Sequence, residues 1–220
     1  MNIMKKLVIF DMDGTILDTM EDLQDAANVT TDCFGYPRVG RERIRLGLGN
    51  GARHLVESIL PEGTAAAEID RVLSFYAPYY KEHSQVKTCP YAGIPELLQA
   101  LRQAGVQTAV VSNKPDFAVQ SLCKYYFSGL FDFFCGERQG IRRKPFPDSV
   151  NEVLKKLQID RGSAVYVGDS EVDFQTGLNA KMDCITVDWG FRTEAELRDA
   201  GAQIIAHSVK ELAQLLGVNL

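Results

Sequence analysis

The sequence predicts an α/β fold, a doubly wound parallel sheet carrying a helical insertion after its first strand. Three features point to it. The run Leu7-Val8-Ile9-Phe10 is apolar throughout and stops at Asp11 and Gly14, as a strand buried on both faces does. From Pro90 onward, short apolar runs alternate with amphipathic segments, the signature of βα units joined by right-handed crossovers. Between them, from about Thr19 to Gln85, the pattern is helical and contains no convincing strand.

Along the insertion, Asp18 or Thr19 can cap the first helix, and Gly35 with Pro37 ends that region. Gly47 to Gly51 breaks the next helix, and Pro61-Glu62-Gly63 makes a further turn. The pattern changes at Pro90-Tyr91-Ala92-Gly93. Helix is expected over Pro95–Gln103, Pro115–Tyr125, Pro147–Leu157 and Asp173–Ala180. Strands are expected over Val106–Val111, Phe131–Cys135, Ala164–Val167 and Cys184–Val187, with a last strand and helix at Gln203–Ala206 and Lys210–Leu216. Residues 1–17 and 87–220 are thus expected to form one Rossmann-like core, and residues 18–86 a separate helical insertion.

With 220 residues, 45% of them hydrophobic and 24% charged, the chain has the balance of an ordinary globular protein. A net charge of -5 and the lack of any Lys/Arg stripe argue against nucleic acid and anionic membrane as partners. A small anionic substrate stays open, because a metal and a few cations can reverse the field in one pocket. The apolar run after Lys5-Lys6 is too short for a secretory signal, and no stretch is long enough to span a bilayer. The five cysteines are scattered without a C-x-x-C pair, so reduced thiols and a cytoplasmic location are expected.

Ligands of open parallel sheets bind beyond the carboxyl ends of the strands. The first strand delivers Asp11-Met12-Asp13-Gly14-Thr15 there. The strand ending at Val111 delivers Ser112-Asn113-Lys114, and the one ending at Val167 delivers Gly168-Asp169, with Asp173 further on. Lys144 lies in the loop Arg142-Arg143-Lys144-Pro145. Asp11 and Asp13, two residues apart, point to one side while the backbone stays extended. Gathering Asp11, Asp13 and Asp169 without a cation is costly, since two like charges at 4 Å repel by roughly 4 kcal/mol at an effective dielectric near 20. Magnesium, hard and oxygen-liganded, removes the objection. Lys144 adds positive charge, Ser112 can donate to a phosphate oxygen, and Gly14 lets the chain turn and expose backbone N–H groups to an anion.

These four stretches, in this order, resemble the four motifs of the haloacid dehalogenase (HAD) superfamily. The resemblance implies that Asp11 is the nucleophile, forming an aspartyl-phosphate, and that Asp13 is the general acid/base. It implies Mg²⁺ held by the Asp11 carboxylate, the Asp13 backbone carbonyl and Asp169, with Asp173 holding a metal-bound water or Lys144. Catalysis would then rest on Asp11, Asp13, Ser112 and Lys144. Phosphate binding would fall to Met12, Gly14, Ser112, Asn113 and Lys144. Superfamily members that cleave carbon–halogen bonds lack the second aspartate, because halide leaves without a proton; Asp13 therefore favours phosphoryl transfer.

The helical stretch would be the cap such enzymes insert after the first motif. Gly49-Asn50-Gly51, Leu55-Val56-Glu57, Phe75-Tyr76-Ala77-Pro78-Tyr79-Tyr80 and Trp189-Gly190-Phe191-Arg192 look like the subgroup acting on 2-phosphoglycolate. A small phosphorylated metabolite is thus the implied partner, with 2-phosphoglycolate the expected substrate. The alternatives are an inorganic pyrophosphatase, a phosphosugar mutase, or a non-catalytic regulatory protein on the same fold. Asn50 and Arg53 are candidates for touching the substrate's non-phosphate end, or equally a solvated helix start. Segments Asp18–Glu21 and Val86–Pro90 are the expected hinges of cap closure.

Asp11 to Thr15 also opens like an EF-hand loop. Ile16 fills the loop's glycine position, Asp22 its final glutamate position, and a strand precedes it in place of a helix. Gly47-Leu48-Gly49-Asn50-Gly51-Ala52 nearly matches a dinucleotide fingerprint, but it follows the charged helix Arg41–Arg45 and not a buried strand.

Overall fold

The computed structural model of the chain describes residues 5–220; residues 1–4 of the expected core segment 1–17 lie outside the described residues. The run Leu7–Phe10 is strand β1, and its alternation sorts side chains to two faces. Leu7 and Ile9 pack with Ala109, Val111, Tyr166, Val150 and Val153, whereas Val8 and Phe10 pack with Val110, Val167, Leu98, Leu122 and Leu212. A strand with an apolar layer on each side can only be central, so an unbroken apolar run was the right signal.

The chain continues through β2 (Leu17–Asp18), α1 (Met20–Phe34), α2 (Arg41–Gly47), α3 (Gly51–Ile59), α4 (Ala66–His83) and β3 (Cys89–Pro90). It then alternates: α5 (Ile94–Gln103), β4 (Gln107–Pro115), α6 (Asp116–Tyr126), β5 (Phe133–Glu137), α7 (Asp148–Leu157), β6 (Ala164–Gly168) and α8 (Glu171–Asn179). β7 (Asp183–Val187), α9 (Glu194–Asp199), β8 (Ile205–Ala206) and α10 (Val209–Leu216) complete it. The six-stranded sheet has the order β5-β4-β1-β6-β7-β8, and every pairing in it is parallel. The fold is therefore the expected doubly wound α/β sheet. Its strand order reverses on either side of β1, which opens a crevice at that strand's carboxyl end.

Helices α1 to α4 bury their apolar faces on one another in a separate cluster that includes Leu23, Ile44, Val56, Ile59 and Tyr76; Phe191, from beyond β7, joins it. No helix of the described residues is long and apolar enough to cross a membrane.

Two local expectations are corrected and one is supplemented. The absence of a convincing strand held for 19–85, but β2 and β3, just outside it, pair antiparallel as Leu17↔Pro90 and Asp18↔Cys89. Two residues are too few to carry a period. Helix α8 begins at Glu171, not Asp173, because Ser170 caps it and Asp173 closes a capping box. β4 runs on past Val111 to Pro115, with a register shift against β5 between those residues.

The paired strands are where the chain leaves and re-enters the sheet region, and Asp22 ties them. Its buried carboxylate accepts from the backbone N–H of Val86, Lys87 and Thr88 at 2.8–3.1 Å and from the Thr88 hydroxyl at 2.8 Å. Asp22→Ala orphans these donors and is expected to cost about 3 kcal/mol in urea unfolding, since each buried unsatisfied group costs roughly 1–3 kcal/mol. Asp25→Ala, which removes only a surface pair with Lys87, is expected to change stability by about 0.5 kcal/mol or less. Equal effects of the two would contradict the tie.

Candidate active site

The loop after β1 is held so that little of it can move. The Asp11 N–H donates to Val167 O at 2.8 Å, and the Met12 carbonyl accepts from the amides of Thr15, Ile16 and Leu17 at 3.0–3.3 Å. Gly14 sits at φ +78°, and a Cβ there would overlap Asp169 Oδ2; a Cβ on Gly190 would overlap the same carboxylate. Both glycines thus let two loops close directly around Asp169. The Met12 side chain is fully buried in the sheet core, which leaves only its backbone for an anion.

Three carboxylates meet here from distant stretches of chain. One oxygen each of Asp11, Asp169 and Asp173 fall within 4.8 Å of one another. Lys144 enters the group fully buried, its Nζ 3.0 Å from Asp11 Oδ1 and 2.6 Å from Asp173 Oδ1. Asp173 is saturated. Its Oδ1 also accepts from the Tyr166 hydroxyl at 3.2 Å, and its Oδ2 accepts from the Ser170 N–H and hydroxyl. Asp169 accepts from the Phe191 N–H at 2.7 Å and weakly from Thr15 Oγ1 at 3.3 Å. Asp11 Oδ1 is buried and has no aligned hydrogen-bond donor.

This donor set fits a hard divalent cation: two carboxylates, Asp11 and Asp169, with spare lone pairs, beside a third that is fully engaged in holding Lys144. Electrostatics agree. Burial pushes the Asp11 carboxyl up to about 7, with Lys144 opposing and Asp173 and Asp13 reinforcing. Burial and the charges of Asp173 and Asp11 likewise hold Asp169 well above the ordinary carboxylate range. Burial alone would depress Lys144, but its two carboxylate partners hold it above its ordinary value.

The end of β4 supplies the opposite wall. Asn113 donates to Lys144 O at 3.0 Å and accepts from the Lys144 N–H at 2.8 Å, fixing the lysine's backbone; it also donates to Gly49 O of the inserted segment. Ser112 is buried on the cleft wall. Lys114, to which the sequence reading gave no role, is buried with its Nζ 2.8 and 3.0 Å from the two Asp13 oxygens and 2.6 Å from the Tyr80 hydroxyl of α4. A signal existed: Ser112 and Lys114 are two apart in a strand and share a face. Thr15, Ser170 and Arg192 were also missed as site residues, and their contacts depend on tertiary geometry alone.

Between sheet and inserted helices lies a cleft enclosing about 710 Å³, its open mouth included, with Asp11, Asp13, Ser112, Asn113, Lys114 and Asp169 along its floor. Gly49, Gly51 and Ala52 line it, whereas Asn50 precedes α3 without doing so. Arg53 is turned aside: it pairs with Glu57 at 3.0 Å and with Asp70. The structure therefore gathers Asp11, Asp13, Ser112, Asn113, Lys144, Asp169 and Asp173 and leaves Asn50 and Arg53 apart.

The sequence profile of the family described as haloacid dehalogenase-like hydrolase matches residues 8–187. A phosphoglycolate phosphatase of Psychrobacter arcticus is 33% identical over 202 residues, covering 88% of each chain. An N-acetylmuramic acid 6-phosphate phosphatase of Pseudomonas aeruginosa is 30% identical, covering 96% of this chain and 94% of its own. A crystal structure from Lactobacillus delbrueckii, assigned only provisionally as a phosphoglycolate phosphatase, is 42% identical with a TM-score of 0.93, covering 97% of this chain and 99% of that one. CbbY of Rhodobacter sphaeroides, bound to xylulose-1,5-bisphosphate, has a TM-score of 0.80 over 99% of this chain and all of its own; at 24% identity that likeness concerns the fold alone.

The raised Asp11 carboxyl has a signed consequence. Between pH 5 and 7 the folded, metal-free chain holds a proton on Asp11 that the unfolded chain has already lost, so this group's contribution to stability falls as pH rises. A divalent cation competes with that proton. Thermal unfolding with Mg²⁺ against chelator is therefore expected to show a larger Mg²⁺ stabilisation at pH 7 than at pH 5. No Mg²⁺ effect at pH 7 would contradict the site.

Proposed function

The chain belongs to the haloacid dehalogenase-like hydrolase family and is a phosphatase of it, and from that premise we propose that it hydrolyses a small phosphomonoester through a covalent phosphate on Asp11. The observation that carries the proposal is the Asp11 carboxylate, buried with its Oδ1 3.0 Å from the Lys144 ammonium but in no aligned hydrogen bond and within reach of Asp169, with a second carboxylate, Asp13, two residues on. Asp11 and Asp169, with the Asp13 carbonyl, would hold Mg²⁺. When bound, the ion neutralises charge on the phosphoryl oxygens and keeps the group in line.

Asp11 attacks phosphorus, the P–O bond to the alcohol breaks, and Asp13 gives its proton to the departing oxygen. A water then attacks the Asp11-bound phosphate. Asp13 takes the proton of that water, the acyl-phosphate bond breaks, and inorganic phosphate leaves with Asp11 regenerated. Lys144 offsets negative charge beside Asp11, Ser112 donates to a phosphoryl oxygen, and Asp173 holds Lys144 in place. Lys114 and Tyr80 fix where the Asp13 carboxylate sits.

In this reading residues 18–86 are a cap on a core of 1–17 and 87–220, moving about Asp18–Glu21 and Val86–Pro90. Five unbridged thiols suit a reducing cytosol. 2-Phosphoglycolate is the reference substrate, from the cap motifs and from the name of one group of relatives, while another relative carries the name of a sugar phosphate.

Asp11→Asn is expected to abolish phosphate release and the trapping of ³²P-labelled protein. Asp13→Asn is expected to lower kcat for alkyl phosphates by about 10²–10⁴-fold. With p-nitrophenyl phosphate, whose leaving group needs no proton, that variant should still give a stoichiometric burst of p-nitrophenol in rapid-quench kinetics. Normal turnover by Asp11→Asn would sink the mechanism. An isomerised sugar phosphate without net phosphate release would mark a mutase instead.

A further inference from the structure

The alcohol end of the substrate must face the part of the cleft away from Asp11, and the inserted helices build that part without a charge. Their contributions are Leu23 of α1, Leu48, Leu55 of α3, and Tyr76, Ala77 and Tyr80 of α4, together with the small residues Gly49, Gly51 and Ala52. The core adds Phe117 at the mouth, exposed, and Phe191 inside, buried. Among the described residues lining the cleft, the cations are Lys114 and Arg192, both on the core side and both committed. Lys114 spends its donors on the two Asp13 oxygens and the Tyr80 hydroxyl. Arg192 is buried with Nε and Nη2 on Glu171, and it also donates to the carbonyls of Arg45 and Leu48. Arg53, the cap's own nearby cation, points to Glu57 and Asp70. At the rim, exposed Arg143 and Glu137 both stand near Gly51, outside the residues that line the cleft.

A carboxylate taken out of water needs a paired cation and hydrogen bonds. This wall offers no free cation, while its aliphatic and aromatic surface rewards apolar atoms. We infer that the cleft selects phosphomonoesters of uncharged, partly apolar alcohols over those whose alcohol carries a carboxylate, 2-phosphoglycolate included. The inference rests on the phosphatase reading above and narrows its substrate class. Tyr76 and Tyr80 leave room for a hydroxyl on that alcohol; the wall excludes a second negative charge.

The test compares kcat/KM, with Mg²⁺ present, for n-butyl phosphate and 2-phosphoglycolate, two alkyl esters whose leaving oxygens both need a proton. The neutral ester is expected to win by about tenfold or more, the scale on which an apolar pocket discriminates. Ala77→Lys and Ala52→Lys each place a cation on the wall at a half-buried position. Whichever folds, judged by cooperative thermal unfolding, should shift the ratio toward 2-phosphoglycolate by about tenfold. Preference for 2-phosphoglycolate in the unsubstituted chain, or an unmoved ratio in a folded variant, overturns the inference and leaves the phosphatase reading standing. No release from either ester, with no label on Asp11, overturns both.

Discussion

Lys144 lies between Asp11 and Asp173, with all three buried, and the site depends on that contact. Three carboxylates and one ammonium leave the pocket floor negative, which is stable only with a cation or a proton. The protein therefore builds a place where Asp11 has the Lys144 charge beside it but no aligned hydrogen bond at Oδ1, while Asp173 is satisfied by Lys144, Tyr166 and Ser170 together. The same capping box that starts α8 orients Asp173, so helix initiation and lysine placement are one interaction. Breaking it would move both.

The inserted helices and the sheet region are joined largely by polar contacts, with Phe191 the buried apolar residue that reaches from beyond β7 into the helical cluster. Arg45 of α2 reaches Glu196 of α9 at 2.9 and 3.0 Å and the Phe191 carbonyl, and Arg192 returns the contact to the carbonyls of Arg45 and Leu48. Hydrogen bonding to Arg45 holds the Glu196 carboxyl down at about 2. Asn113 to Gly49 and Lys114 to Tyr80 add two links beside the reaction site. Such contacts exchange with water at modest cost, which is what a layer that must admit substrate and release phosphate requires. The apolar cluster within α1 to α4 packs those helices into one layer.

The fold was legible because burial on both faces writes itself as an unbroken apolar run, which β1 and β6 carry whole and β4 carries over Ala109–Val111. The floor of the site was legible because ligands of such sheets sit at strand ends, and Asp11, Ser112 and Asp169 are the first polar residues there. Lys144 was harder. A lysine in a charged loop reads as solvated, and only its company with the other motifs singled it out. Arg53 shows the converse, a cation in a promising place that finds closer partners in Glu57 and Asp70.

The amino-acid order by itself determined the sheet, its helical insertion and the carboxylates and hydroxyl set at the strand ends, because these follow from periodicity and from residue type at fixed places. The tertiary structure alone decided which cations are free and which are spent, since an ammonium or guanidinium reaches several ångströms to partners distant in sequence. Lys114 on Asp13 and Arg192 on Glu171 are such partnerships. They leave the cleft an uncharged wall that no local pattern announces.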